Sequence, residues 1–244
     1  MCIRVLIFLE VNMASEKKVL NYFTMGEAAL WAGSVLLIIT AFCIFDRESF
    51  LTLGASLVGV TSLIFCAKGN PVGQLLMIVF SLMYGVISYS FAYYGEMVTY
   101  LGMTAPMAAF SLVSWLKNPY KGSRSQVKVN SISLCEAGIM LLIASAVMVL
   151  FYFILRFFST ANLLLSTFSV TTSFIAVYLT FRRSPYYAAA YAMNDIVLII
   201  LWTLAAETDS SYISVIICFA VFLVNDIYGF ISWIKMGKRQ RAEG

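Results

Sequence analysis

Two acid–amide pairs, Asn194-Asp195 and Asn225-Asp226, lie well inside long apolar stretches of this 244-residue sequence. An acidic side chain at the centre of a membrane helix costs on the order of 3 kcal/mol, so such a group faces the bundle interior, a partner or a water-filled path rather than lipid. On the stretch 186–206, Tyr187, Tyr191, Asn194, Leu198 and Trp202 follow helical spacing and make one stripe of aromatic and amide groups able to stack a ring. On 212–234, Asn225, Tyr228, Gly229 and Ser232 share a face, with Trp233 closing the helix. The stretch 71–93 contributes Gln74, Ser81, Tyr84 and Ser88, and 96–116 contributes Met107, Phe110, Ser111 and Ser114, so the second half of the chain is the richer one.

The set expected to contact a solute is therefore Asn194, Asn225, Tyr187, Tyr191, Trp202, Asp195, Asp226, Gln74 and Tyr84. Duller roles compete with it. Membrane Asn and Ser often serve as interhelical hydrogen-bond glue. Trp115 and Trp233, beside Lys117 and Lys235, read as interfacial anchors, and Tyr93, Tyr94 and Tyr100 as an aromatic belt at the other face.

What is missing narrows the chemistry further. His is absent, which removes Ser-His-Asp and Cys-His catalysis and imidazole-dependent zinc sites. The cysteines Cys2, Cys43, Cys66, Cys135 and Cys218 form no C-x-x-C pair and read as small packing residues, so neither a metal, a cofactor nor a disulfide framework is expected. No Lys or Arg lies deep in an apolar run, so an anionic substrate lacks a counter-charge, whereas two carboxylates suit a neutral or cationic solute. There is no glycine-rich phosphate loop for ATP hydrolysis. The net charge of +4 is spread over loops and tails rather than gathered into a nucleic-acid face.

The elements that must position these groups follow from composition. At 61% apolar and 11% charged residues, the chain is expected to be an all-α polytopic membrane protein. Eight apolar stretches long enough to cross about 30 Å of hydrocarbon fall at 27–45, 50–67, 71–93, 96–116, 137–158, 162–181, 186–206 and 212–234. With eight alternating helices, every Lys and Arg except Arg47 and Arg156 falls on one side, which puts both termini in the cytoplasm. Arg182 and Arg183 are read as topology determinants. The apolar Val5–Leu9 stretch is too short to cross; it reads either as an interfacial segment or as an extension ahead of a start at Met13.

An internal repeat organises the whole. Lys68 pairs with Arg182, Gly69 with Arg183 and Pro71 with Pro185 at one offset; Ser114 with Ser232 and Trp115 with Trp233 at another, four residues larger. The chain then divides into an N-terminal segment 1–26, an additional helix 27–45, a three-helix unit 50–116, a basic cytoplasmic loop 117–136, a linker helix 137–158, a second three-helix unit 162–234 and a basic tail 235–244. Both units run in the same direction, which places a substrate near the midplane where they meet.

The stretches Phe65-Cys66-Ala67-Lys68-Gly69-Asn70, Tyr93-Tyr94-Gly95-Glu96-Met97, Ser114-Trp115-Leu116-Lys117-Asn118 and Val224-Asn225-Asp226-Ile227-Tyr228-Gly229-Phe230-Ile231-Ser232-Trp233 resemble the PnuC family of bacterial vitamin B3 precursor transporters over about residues 25–236. The resemblance implies a fold similar to a full-length SWEET sugar transporter, a homotrimer in the bacterial cell membrane, and no enzymatic activity. It implies facilitated diffusion of nicotinamide riboside, with a cytoplasmic kinase phosphorylating the riboside so that it cannot leave. Family members often carry W-x-x-W on the penultimate helix, followed four residues later by asparagine; Asn194 matches, with Tyr187 and Ala190 at the tryptophan positions. A same-fold carrier of thiamine or another nucleoside-like vitamin is the alternative, and a membrane-integral enzyme or assembly protein using Asp195 and Asp226 is a more distant one.

Overall fold

The computed structural model describes residues 22–90, 94–160, 162–207 and 209–243. Most of the expected N-terminal segment, including Val5–Leu9, lies outside the described residues. The helices are α1 (Met25–Phe45), α2 (Phe50–Ala67), α3 (Val72–Ser90), α4 (Tyr94–Thr99), α5 (Ala105–Lys117), α6 (Leu134–Phe157), α7 (Leu163–Phe181), α8 (Tyr187–Ala206) and α9 (Ile213–Ala242). α4 and α5 are one crossing joined by a π-helical turn, Tyr100–Thr104, so eight spans among the described residues are long and apolar enough to cross a membrane.

Local chemistry sets these boundaries. At α1, Thr24 accepts from the Glu27 backbone N–H while Glu27 accepts from the Thr24 N–H, a reciprocal cap; Ser133 caps α6 through the Glu136 N–H. α2 and α7 end in the same left-handed turn. Gly69 N–H donates to the Cys66 carbonyl and Asn70 N–H to that of Phe65, and likewise Arg183 N–H to Thr180 and Ser184 N–H to Leu179. Gly69 takes φ +68° and Arg183, in the same place, φ +57°. The π turn precedes Pro106, which lacks an N–H and crowds the carbonyl four residues back; widening the helix by one residue relieves both problems.

Two features differ from the sequence expectation. The basic loop contains a β-hairpin, β1 (Pro119–Tyr120) and β2 (Ser123–Val127). α9 also runs on through most of the expected tail, because good helix formers follow Trp233 and because Gln240 is held by the loop: its Oε1 accepts from Val129 N–H and its Nε2 donates to the Val127 carbonyl.

Packing closes α2, α3, α5, α7, α8 and α9 into a ring, in that spatial order, with α9 returning to α2. α1 lies outside on α2 and α9, and α6 lies outside on α7. Glu27 of α1 pairs with Lys68 at 2.8 Å and accepts from the Tyr228 hydroxyl. Glu136 of α6 pairs with Arg182 and accepts from the Tyr178 hydroxyl. The outer face of α6 is apolar, with Leu141, Leu142, Val149, Leu150 and Phe153 exposed, as a lipid-facing helix requires.

α2 and α3 approach so closely that Gly73 has no alternative. A Cβ there meets the Cys66 amide nitrogen at 2.7 Å and the Ser62 carbonyl at 2.9 Å, both backbone atoms. Gly73→Ala is expected to force the two helices apart and to cost about 1–3 kcal/mol, read as a lower thermal unfolding midpoint in detergent.

Candidate functional site

Successive residues on a helix point about 100° apart, and this decides how the acid–amide pairs divide their roles. Asn194 is buried and turned toward α7, where its Oδ1 accepts from Thr172 Oγ1 at 2.8 Å and Ser169 Oγ at 3.2 Å. Asn225 is buried and turned toward α1, its Nδ2 donating to Ser34 Oγ and the Val221 carbonyl, both at 2.9 Å. The amides therefore hold neighbouring helices. The acids next to them face each other inside the ring, within hydrogen-bonding reach. Asp195 Oδ2 is buried and receives no hydrogen bond among the described residues, and neither carboxylate enters an ion pair described there.

Toward the basic end, Asp226 neighbours Tyr191, Tyr187 and Cys66. Gln74, also buried, donates to Cys66 Sγ at 3.2 Å and so joins this layer from α3. Below it lies an aromatic plug. Trp115 and Trp233 are fully buried with ring centroids 5.3 Å apart, and Tyr187 packs edge-on against Trp233 at 4.9 Å. This corrects the reading of the two tryptophans as interfacial anchors. Their indoles find buried partners, so nothing draws them to the headgroups: Trp115 Nε1 donates to the Thr180 carbonyl and Trp233 Nε1 to that of Cys66.

Ser114 and Ser232 repeat the pattern one residue earlier, donating to the Phe181 and Ala67 carbonyls. Each bond thus joins one expected unit to the other at matching positions. Arg183 adds Nη1 to Ser114 Oγ at 3.0 Å; burial and the adjacent Arg182 hold its guanidinium below the usual arginine range. Arg182 and Arg183 are therefore structural ties as well as charges.

Toward the opposite end, a cavity of about 490 Å³ opens between the 46–49 turn and the 209–212 turn. Of the expected set, Tyr84 and Trp202 line it, together with Tyr212, the acids Asp46, Glu48 and Asp209, and Arg47. Trp202 packs on Tyr212 at 5.2 Å. Beneath the cavity, Tyr84 packs on Tyr100 at 4.7 Å, and Tyr100 in turn neighbours Asp195. Tyr100 was expected in an interfacial belt; the π turn instead rotates it against Phe80 and Tyr84 in the core. Tyr94 lies 38% exposed at the end of its span, where a belt residue belongs, and Tyr93 lies outside the described residues.

The nine expected residues thus fall into levels along one axis. Tyr84 and Trp202 border the open cavity, Asp195 and Asp226 sit behind Tyr100, and Tyr187, Tyr191 and Gln74 lie between the acids and the tryptophan plug. The two asparagines brace the walls. Tyr100 and Cys66 are the residues that sequence reasoning left out of the set.

The family described as nicotinamide mononucleotide transporter matches residues 49–235. A nicotinamide riboside transporter PnuC of Neisseria mucosa is 25% identical over 219 residues, covering 88% of this chain and 83% of the relative. A crystal structure of the vitamin B3 transporter PnuC superposes with a TM-score of 0.78 at 23% identity, covering 89% of this chain and 94% of the other, which makes the folds alike.

Proposed function

The chain belongs to the nicotinamide mononucleotide transporter family, the PnuC transporters, and from that premise we propose that it carries nicotinamide riboside across the bacterial cell membrane by facilitated diffusion. It is a multi-pass membrane transporter rather than an enzyme. The substrate reading rests chiefly on one observation: Asp195 and Asp226 face each other in the ring with no cationic partner among the described residues. Nicotinamide riboside carries a fixed positive charge on an aromatic ring and no phosphate. A cationic ring gains roughly 0.5–2 kcal/mol over each aromatic face, and Tyr84, Tyr100, Tyr187, Tyr191 and Trp202 border the route on either side of the acids.

The route begins at the wide cavity, where Asp46, Glu48 and Asp209 outnumber Arg47 and favour a cation, and ends at the tryptophan plug. Residues 50–116 and 162–234 act as two units that rock about the acids, with the Ser114–Trp115 and Ser232–Trp233 bonds breaking as the basic end opens. The basic end is cytoplasmic on the positive-inside pattern, with both termini there. Phosphorylation by a cytoplasmic riboside kinase traps the product, because an added phosphate meets two carboxylates with no opposing cation. The assembly is a homotrimer.

Uptake of labelled nicotinamide riboside into proteoliposomes is expected to run to equal inside and outside concentrations and to resist competition by nicotinamide mononucleotide. Thiamine, also an aromatic cation, is the informative competitor: uptake of labelled thiamine together with no uptake of labelled riboside would replace this substrate assignment.

A further inference from the structure

Glu96 belongs to a motif that the transport route leaves unused. It lines a separate small cavity of about 40 Å³ between α4, the π turn and α7. That room admits small species such as a water or a bare ion and is too small for a riboside. The groups around it are oxygen-rich, and three hydroxyls have their single hydrogen already engaged. Thr99 Oγ1 donates to the Gly95 carbonyl at 2.9 Å, Thr104 Oγ1 to that of Thr99 at 3.3 Å, and Ser169 Oγ to Asn194 Oδ1 at 3.2 Å. Each is left with lone pairs alone to offer a further partner. A carboxylate and hydroxyls restricted to accepting make a site for a cation rather than an anion.

We propose that this cavity binds one sodium ion, held by the Glu96 carboxylate and the hydroxyl oxygens of Thr99, Thr104 and Ser169. One carboxylate balances one positive charge, whereas the divalent hard cations take more oxygen ligands, with further carboxylates or retained waters. The π turn beside it, Tyr100–Thr104, is the kind of helix widening frequently found at functional sites. Ser169 ties the ion to Asn194, so occupancy fixes the wall behind Asp195 without any change in the ring's order.

The test uses the purified full chain in detergent with radioactive sodium and no organic substrate, so its failure leaves the transport reading standing. Saturable binding of one ion per chain is expected, displaced by unlabelled sodium but not by choline, with a sodium-dependent rise in the thermal unfolding midpoint. Glu96→Gln, which keeps the shape, is expected to weaken binding by at least ~tenfold through loss of a charged ligand. Should that variant fail to fold, Thr99→Val, which removes one oxygen, is expected to weaken binding while leaving the choline-measured midpoint near that of the unaltered chain. Absence of bound sodium in the unaltered protein, or equal binding by Glu96→Gln, overturns the assignment.

Discussion

Asp226→Asn is expected to lower nicotinamide riboside uptake by about 10- to 100-fold while leaving the thermal unfolding midpoint at or above that of the unaltered chain. Asparagine has nearly the same shape, so packing in α9 persists, and what disappears is a charge in a low-dielectric interior. An interaction with a charged group is worth about 1.5–3 kcal/mol, and each 1.4 kcal/mol is about tenfold in affinity. Asp195→Asn is expected to do the same, and the double variant to lose less than the sum, because the two carboxyl groups contact each other and act as one site. The direction of the stability change is part of the test. Two acids facing each other without a cation strain the bundle, so their removal relieves the fold at the expense of transport. Full uptake by the double variant places the cation elsewhere.

Trp233→Ala is expected to cost about 3–5 kcal/mol and to open the basic end. The indole is fully buried, packs tilted against Trp115 and edge-on against Tyr187, and bonds the Cys66 carbonyl across the two expected units. Trp233→Phe keeps a ring and loses the donor, for about 1–2 kcal/mol. Cys66 reports the outcome, since its buried thiol lies in the cluster that the tryptophans close. Labelling of Cys66 by small thiol reagents is expected to quicken in the order unaltered, Trp233→Phe, Trp233→Ala, and the same series at Trp115 is expected to match it. A rate unchanged across both series removes the plug from the transport cycle.

The spans were legible because a bilayer imposes a length and composition that short loops cannot mimic, and the buried acids because hydrocarbon makes an unneeded carboxylate expensive. The orientation of each acid–amide pair was not legible. A rotation of about 100° separates neighbours, and which of them faces inward depends on where Ser34, Ser169 and Thr172 sit on other helices. Trp115 and Trp233 stand beside lysines, as interfacial residues do, and only the backbone carbonyls of α2 and α7 explain their burial. Tyr100 was misplaced because it stands near the end of the 96–116 stretch, as belt residues do; the span begins earlier, at Tyr94, and Tyr100 opens the π turn packed on Phe80 and Tyr84. The hairpin in the loop left too short a pattern to read: β1 has two residues and its register with β2 is irregular.

The segment between α5 and α6 touches both turns at the basic end. Val127 N–H donates to the Gly69 carbonyl, Asn130 N–H to that of Arg183, and Gln240 clamps the stretch between them. Whichever half of the molecule moves must drag this strap or tear it. At its tip, Gly122 takes φ +77° with open space around it. A fluorophore carried there will report the swing of either half without touching the path of the cargo, turning the connection into a strain gauge for the working cycle.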